Sequence, residues 1–110
     1  MNNNQFKRFI REKIEQYTNE NNLITVYIDT TSNSRMYYIY DWHYKIKATL
    51  DCWIGNNECS IKISYNKSKI VSLANYDVEF RASYLELDKI INTIKEQISY
   101  IKENQWKPKM

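Results

Sequence analysis

The clearest pattern lies in the last quarter of the chain. Tyr84, Leu87, Ile91, Ile94, Ile98 and Ile101 recur at steps of three and four residues, the spacing that puts side chains on one face of a helix. Ile90 widens the stripe, which suits packing on a sheet better than a coiled-coil seam. Ser83 followed by Glu86 is a capping-box pattern, so a helix is predicted over Ser83–Gln105. Near the start, Phe6, Phe9, Ile10, Ile14 and Tyr17 show the same period. They predict a first helix over Gln5–Tyr17, with residues 1–4 frayed. Its other face carries Lys7, Arg8, Arg11 and Lys13, and Asn19–Asn22 is a polar stop.

Between the two helices the period falls to two. Leu23–Asp29 alternates, with Ile24, Val26 and Ile28 on one face and Thr25 and Tyr27 on the other. After a turn at Thr30–Ser34, a second strand spans Arg35–Trp42, aromatic on both faces. A two-residue turn at Ser32-Asn33 would set Ile28 opposite Tyr37 and Val26 opposite Ile39, keeping one apolar face continuous. A third strand is predicted over Ile46–Ile54 and a fourth over Glu58–Asn66. Ile46, Ala48, Leu50, Cys52, Ile54, Cys59, Ile61, Ile63 and Tyr65 then point inward. A Gly55-Asn56 turn would pair Cys52 with Cys59, and an Asn56-Asn57 turn shifts the register by two and keeps the faces. Asn66–Lys69 is a further turn. In Ile70–Arg81 the second half alternates as a strand around Tyr76, Val78, Phe80 and Ala82, and a helix beginning near Asp77 is the alternative. Gln105–Met110 is a basic tail.

The expected fold is therefore a single α+β domain over 1–110: an N-terminal helix, an antiparallel meander of four to five strands, and a long C-terminal helix, with both helices on one sheet face. Double-stranded-RNA-binding domains share the helix–strands–helix order but carry a Lys-rich motif where the last helix starts. Here Ser83–Lys89 is acidic, and the chain is not assigned to them.

Composition narrows the chemistry. One glycine in 110 residues rules out a Walker A loop, a dinucleotide fingerprint and a nucleophile elbow, each of which needs several. The lone His43 and two cysteines are too few ligands for an ordinary zinc site. No Asp or Glu stands two residues before a Lys, the strand signature of many metal-dependent nucleases. No enzyme activity, cofactor or metal is expected. No apolar run approaches a membrane-spanning length, and no apolar stretch follows the first residues as in a secretory signal. A cytoplasmic protein with reduced Cys52 and Cys59 is expected.

The outward sheet face is unusual. By the chosen register it carries Tyr27, Met36, Tyr38, Tyr40, Lys47, Trp53 and Lys62, with Trp42 at the turn. A solvated face is ordinarily filled with small polar and charged residues. Tyr and Trp instead mark interfaces, because they bury a large area while keeping a polar tip. All of these except Met36, with Arg8 and Arg11 on the first helix, are the candidate partner-binding set. Cover by a helix or second protomer is the structural alternative for the sheet face, as a solvated surface is for the helix face. Net charge of +3 is mild for a dedicated nucleic-acid binder. A protein partner is expected first, a nucleic-acid module using the aromatic and lysine face second, a homodimeric structural protein third.

Fifteen Ile, thirteen Asn and twelve Lys against three Ala and one Gly indicate an AT-rich gene. Small size, missing catalytic motifs and this skew together look like a phage or mobile-element accessory protein. Inhibitors of bacterial defence, anti-CRISPR proteins among them, are of this kind. That likeness implies a protein that binds, and inhibits or modulates, a protein partner.

Overall fold

The computed structural model describes residues 2–65 and 78–103. Helix α1 spans Asn3–Glu20 and α2 spans Leu87–Glu103. Strands β1 (Ile24–Asp29), β2 (Ser34–Tyr40), β3 (Ile46–Gly55), β4 (Glu58–Tyr65) and β5 (Val78–Ser83) lie between them in sequence. The strands form one antiparallel sheet in the order β1-β2-β3-β4-β5. Both helices cover one face of this sheet and touch each other, which makes the fold α+β as expected. The predicted turn at Asn66–Lys69, the start of the segment from Ile70, the end of the last helix and the basic tail lie outside the described residues.

The core is the layer between helices and sheet. Phe6, Ile10, Ile14 and Tyr17 of α1 and Ile90, Ile94, Ile98 and Ile101 of α2 are buried against Tyr37, Ile39, Ala48, Leu50, Cys52, Ile54, Cys59, Ile61, Ile63 and Ala82. Leu87 and Ile91 flank the α2 stripe, whose centre line runs through Ile90, Ile94 and Ile98. The two cysteines are buried free thiols.

Several local expectations are corrected. Residues 2–4 are not frayed. The Asn2 side chain accepts from the Gln5 N–H, and the Gln5 side chain accepts from the Asn2 N–H, both at 2.9 Å, a capping box that starts the helix two residues earlier than predicted. Ser83 does not start α2. Its N–H donates to Glu86 Oε1 at 3.0 Å, and its Oγ accepts from the Leu85 N–H at 3.2 Å. These bonds close a turn, and the first helical bond runs from the Ile90 N–H to the Glu86 carbonyl. The β3–β4 hairpin turns at Asn56-Asn57, both at positive φ (51° and 62°). Two such residues make the turn whose twist matches the strands. Cys52 therefore pairs with Ile61 and Cys59 with Ile54, not with each other.

The largest correction concerns β1. Ile28 pairs with Met36, Tyr27 with Tyr37 and Val26 with Tyr38, one residue away from the expected register. The Thr30 N–H donates to the Ser34 carbonyl at 3.0 Å, so three residues, not two, make the turn. The Ile54 N–H holds the Asn33 carbonyl at 2.8 Å, and Lys7 Nζ donates to the Ser32 carbonyl. One extra turn residue flips every side chain of the strand. Tyr27 therefore faces the helices and leaves the outward set, while Val26 and Ile28 face outward.

Candidate functional site: the outer sheet face

The face opposite the helices is built from alternate residues of five strands. The pairing places Ile24, Val26 and Ile28 of β1 beside Tyr40, Tyr38 and Met36 of β2. Thr49, Asp51 and Trp53 of β3 follow, then Ser64, Lys62 and Ser60 of β4, then Glu79 and Arg81 of β5. Val26 is 49% exposed and Ile28 55%. Met36, Tyr38 and Tyr40 are half-buried, Thr49 and Ser64 are buried, and Trp53 is exposed. The Trp53 indole lies across Gly55: a Cβ at Gly55 would stand 2.8 Å from ring carbons Cη2 and Cζ2. A glycine at this position lets the ring lie flat along the strand. Trp53 also walls a groove with Asp51, Glu58, Lys62, Arg81 and Glu86.

The β2–β3 loop extends the aromatic surface. Trp42 is 64% exposed and Tyr44 78%. Asp41 fixes their backbone. Its Oδ1 accepts from the N–H groups of His43 at 2.8 Å and Lys45 at 3.0 Å. Its own N–H donates to the Lys45 carbonyl at 2.9 Å, and its carbonyl accepts from the Tyr44 N–H at 3.0 Å. These backbone donors, Lys45 first, hold the Asp41 carboxyl below its ordinary range. Tyr44 sits at φ 57° to close the loop, and two large rings are thereby presented on an ordered turn.

The charges on this face are mixed. Lys47, Lys62 and Arg81 are matched by Asp51, Glu58 and Glu79, and Asp51 stands directly opposite Lys62. The ladder slips between Ile39 and Tyr40, which pairs with Ile46, so Lys47 is the extra residue of a bulge.

Tyr27, on the other face, stays 36% exposed and has two guanidinium groups near its ring. Arg35 lies 4.5 Å and Arg11 5.3 Å from its ring centroid, and the Tyr37 ring is 5.8 Å away. Arg35 bonds Asp29 Oδ1 at 2.6 Å. Burial works against its charge, but Asp29 and Tyr37 outweigh it and its pKa rises. Arg11 is paired with Glu15 at 3.2 Å, and Arg8 is exposed on α1. The two arginines thus stand in the helix layer, apart from Tyr38, Tyr40, Lys62 and Trp53. Sequence reasoning missed three surface residues. Tyr44 was signalled by the second aromatic in Trp42-His43-Tyr44, whereas Val26 and Ile28 were hidden by the wrong register.

No protein-family description, curated protein or solved structure matches this chain.

Proposed function

We propose that this is a small non-enzymatic cytoplasmic protein that binds a protein partner through the outer sheet face and the Trp42–Tyr44 loop. The observation that carries the reading is the exposure of Trp42, Tyr44 and Trp53 around half-buried Met36, Tyr38 and Tyr40. Contiguous apolar surface rimmed by polar groups marks interaction sites, and aromatic anchors dominate them once desolvated. The balanced charges of the face favour protein over nucleic acid, since a phosphate-tracking groove needs an excess of cations. Aromatics above lysines would serve a single-stranded nucleic acid in the second reading. Inhibition or modulation of the partner, in the manner of phage anti-defence proteins, follows from the likeness in size and composition.

The test is affinity capture from a low-GC bacterial lysate, with and without nuclease, using the wild type and a Tyr38→Ser/Trp53→Ser variant. The expected result is a nuclease-insensitive protein partner. The double variant, still folded, should bind that partner weaker by at least about 2 kcal/mol, roughly thirtyfold. A folded variant that binds normally places the site elsewhere. Loss of capture on nuclease treatment favours the nucleic-acid reading.

A further inference from the structure

The two edges of the sheet differ. The β5 edge presents Glu79 and Arg81 on the outer face, charges of the kind that protect an edge from pairing. The β1 edge presents Val26 and Ile28, with no lysine or proline in the strand. Among the described residues its backbone is open as well. The Thr30–Ser34 bond makes that pair a hydrogen-bonded one. Such pairs alternate along an antiparallel ladder. Ile28, Val26 and Ile24 therefore bond to β2, and the N–H and C=O groups of Thr25, Tyr27 and Asp29 point away from the sheet. Among the described residues no strand pairs with them.

From this we infer that β1 pairs antiparallel with β1 of a second copy, about a two-fold axis through Tyr27, making one continuous ten-stranded sheet. The strand is self-complementary in that register. The outward-pointing groups of Tyr27 meet those of the partner's Tyr27, and Thr25 meets the partner's Asp29. Val26 then lies opposite the partner's Ile28 on the outer face, and Ile28 opposite the partner's Val26. These are non-hydrogen-bonded pairs, whose side chains approach most closely. Two apolar cross-strand contacts form where the free protein exposes both residues. On the helix side the cations near the axis arrive compensated, Arg11 by Glu15 and Arg35 by Asp29. A closed two-fold uses each open edge once, so the contact ends at two copies. The inference stands apart from the partner-binding proposal, whose anchors lie on β2, β3 and their loop, and its test needs no partner.

Sedimentation velocity across a concentration series should find the full chain dimeric. A Val26→Lys/Ile28→Lys variant should keep its circular dichroism and dissociate at least about tenfold more readily. A Tyr27→Cys variant should form a disulfide-linked dimer on mild oxidation. Hydrogen-bonded partners across the axis have α-carbons about 5.5 Å apart, within disulfide reach. Asp29→Cys should not link, since its copies lie roughly 14 Å apart. A monomer at every concentration overturns the inference. So does a dimer that survives both lysines, or one in which the Asp29→Cys chain links and the Tyr27→Cys chain does not. If the lysine variant fails to fold, the two cysteine variants decide the question alone.

Discussion

Raising the pH through 10 is expected to destabilise this fold through two thiols that cannot ionise in place. Cys52 and Cys59 lie in the layer between sheet and helices. Burial pushes the Cys59 thiol up to about 11 from an ordinary 9.0, against a backbone hydrogen bond at Ala82 that pulls it down. Burial raises Cys52 further, with Cys59 and Asp51 adding to it. Because the folded values lie above the unfolded ones, the stability is fully present below about pH 9 and is lost as pH rises toward the folded values. Each proton retained by the folded state alone changes stability by about 1.4 kcal/mol per pH unit. Between pH 8 and 10 the unfolded chain releases nearly one proton per thiol and the folded chain almost none. The loss is then about 1.3 kcal/mol for each, roughly 2.5 kcal/mol together. Tyr37, also raised by burial, adds most of its share above pH 10. The assay is urea unfolding at both pH values for the wild type and for Cys52→Ala/Cys59→Ala. Alanine lowers stability at both pH values, but the difference between them should shrink by the thiol share. An unchanged difference would mean that the thiols ionise in the folded protein, and the burial argument for both would fail.

Two structural predictions accompany it. Ile94→Ala, at a buried position on α2, should cost about 2–5 kcal/mol in urea unfolding, because the cavity adds to the lost transfer energy. A much smaller loss would mean that the stripe does not face the sheet. Asn57→Gly should stabilise the protein by about 0.5–1 kcal/mol in the same assay, since Asn57 sits at φ 62° where glycine is unstrained.

What the sequence made legible follows the strength of its periodicity. Strands β3 and β4 alternate strictly, so their faces were readable even while two registers remained open. The α1 and α2 stripes were readable too, because mismatched residues such as Lys95 and Glu96 cannot be buried. The start of α2 was misplaced because a Ser-x-x-Glu pattern closes a turn as readily as it opens a helix. In β1 and β2 the signal failed for a physical reason. Ile24–Asp29 is apolar or aromatic at four of six positions, and β2 is aromatic on both faces, so either face could be covered. The choice passed to the loop, where the Ile54 and Lys7 contacts that shape it are long-range and leave no local trace. The site inherited this error: the residues of β2 and β3 were placed correctly, and those of β1 were exchanged.

That exchange bears on energetics. In the expected register Ile24, Val26 and Ile28 would share the helix-covered core. The observed register exposes about half of Val26 and Ile28 and forgoes roughly 1.5–3 kcal/mol of burial. In return the Thr25 hydroxyl donates to Thr18 Oγ1 at 2.6 Å, a contact worth about 1 kcal/mol. The Tyr27 ring also gains two guanidinium neighbours, each worth about 0.5–1 kcal/mol at an exposed site, and the Arg35–Asp29 pair adds at most about 1 kcal/mol. The two sides nearly cancel, so hydrophobic burial within one chain does not by itself select the observed facing. Pairing β1 with another strand tips the balance in its favour, because lateral cross-strand contacts recover part of the apolar area forgone in the single chain while the Tyr27 contacts are kept. A protein that must leave those residues bare would do about as well with the strand turned over.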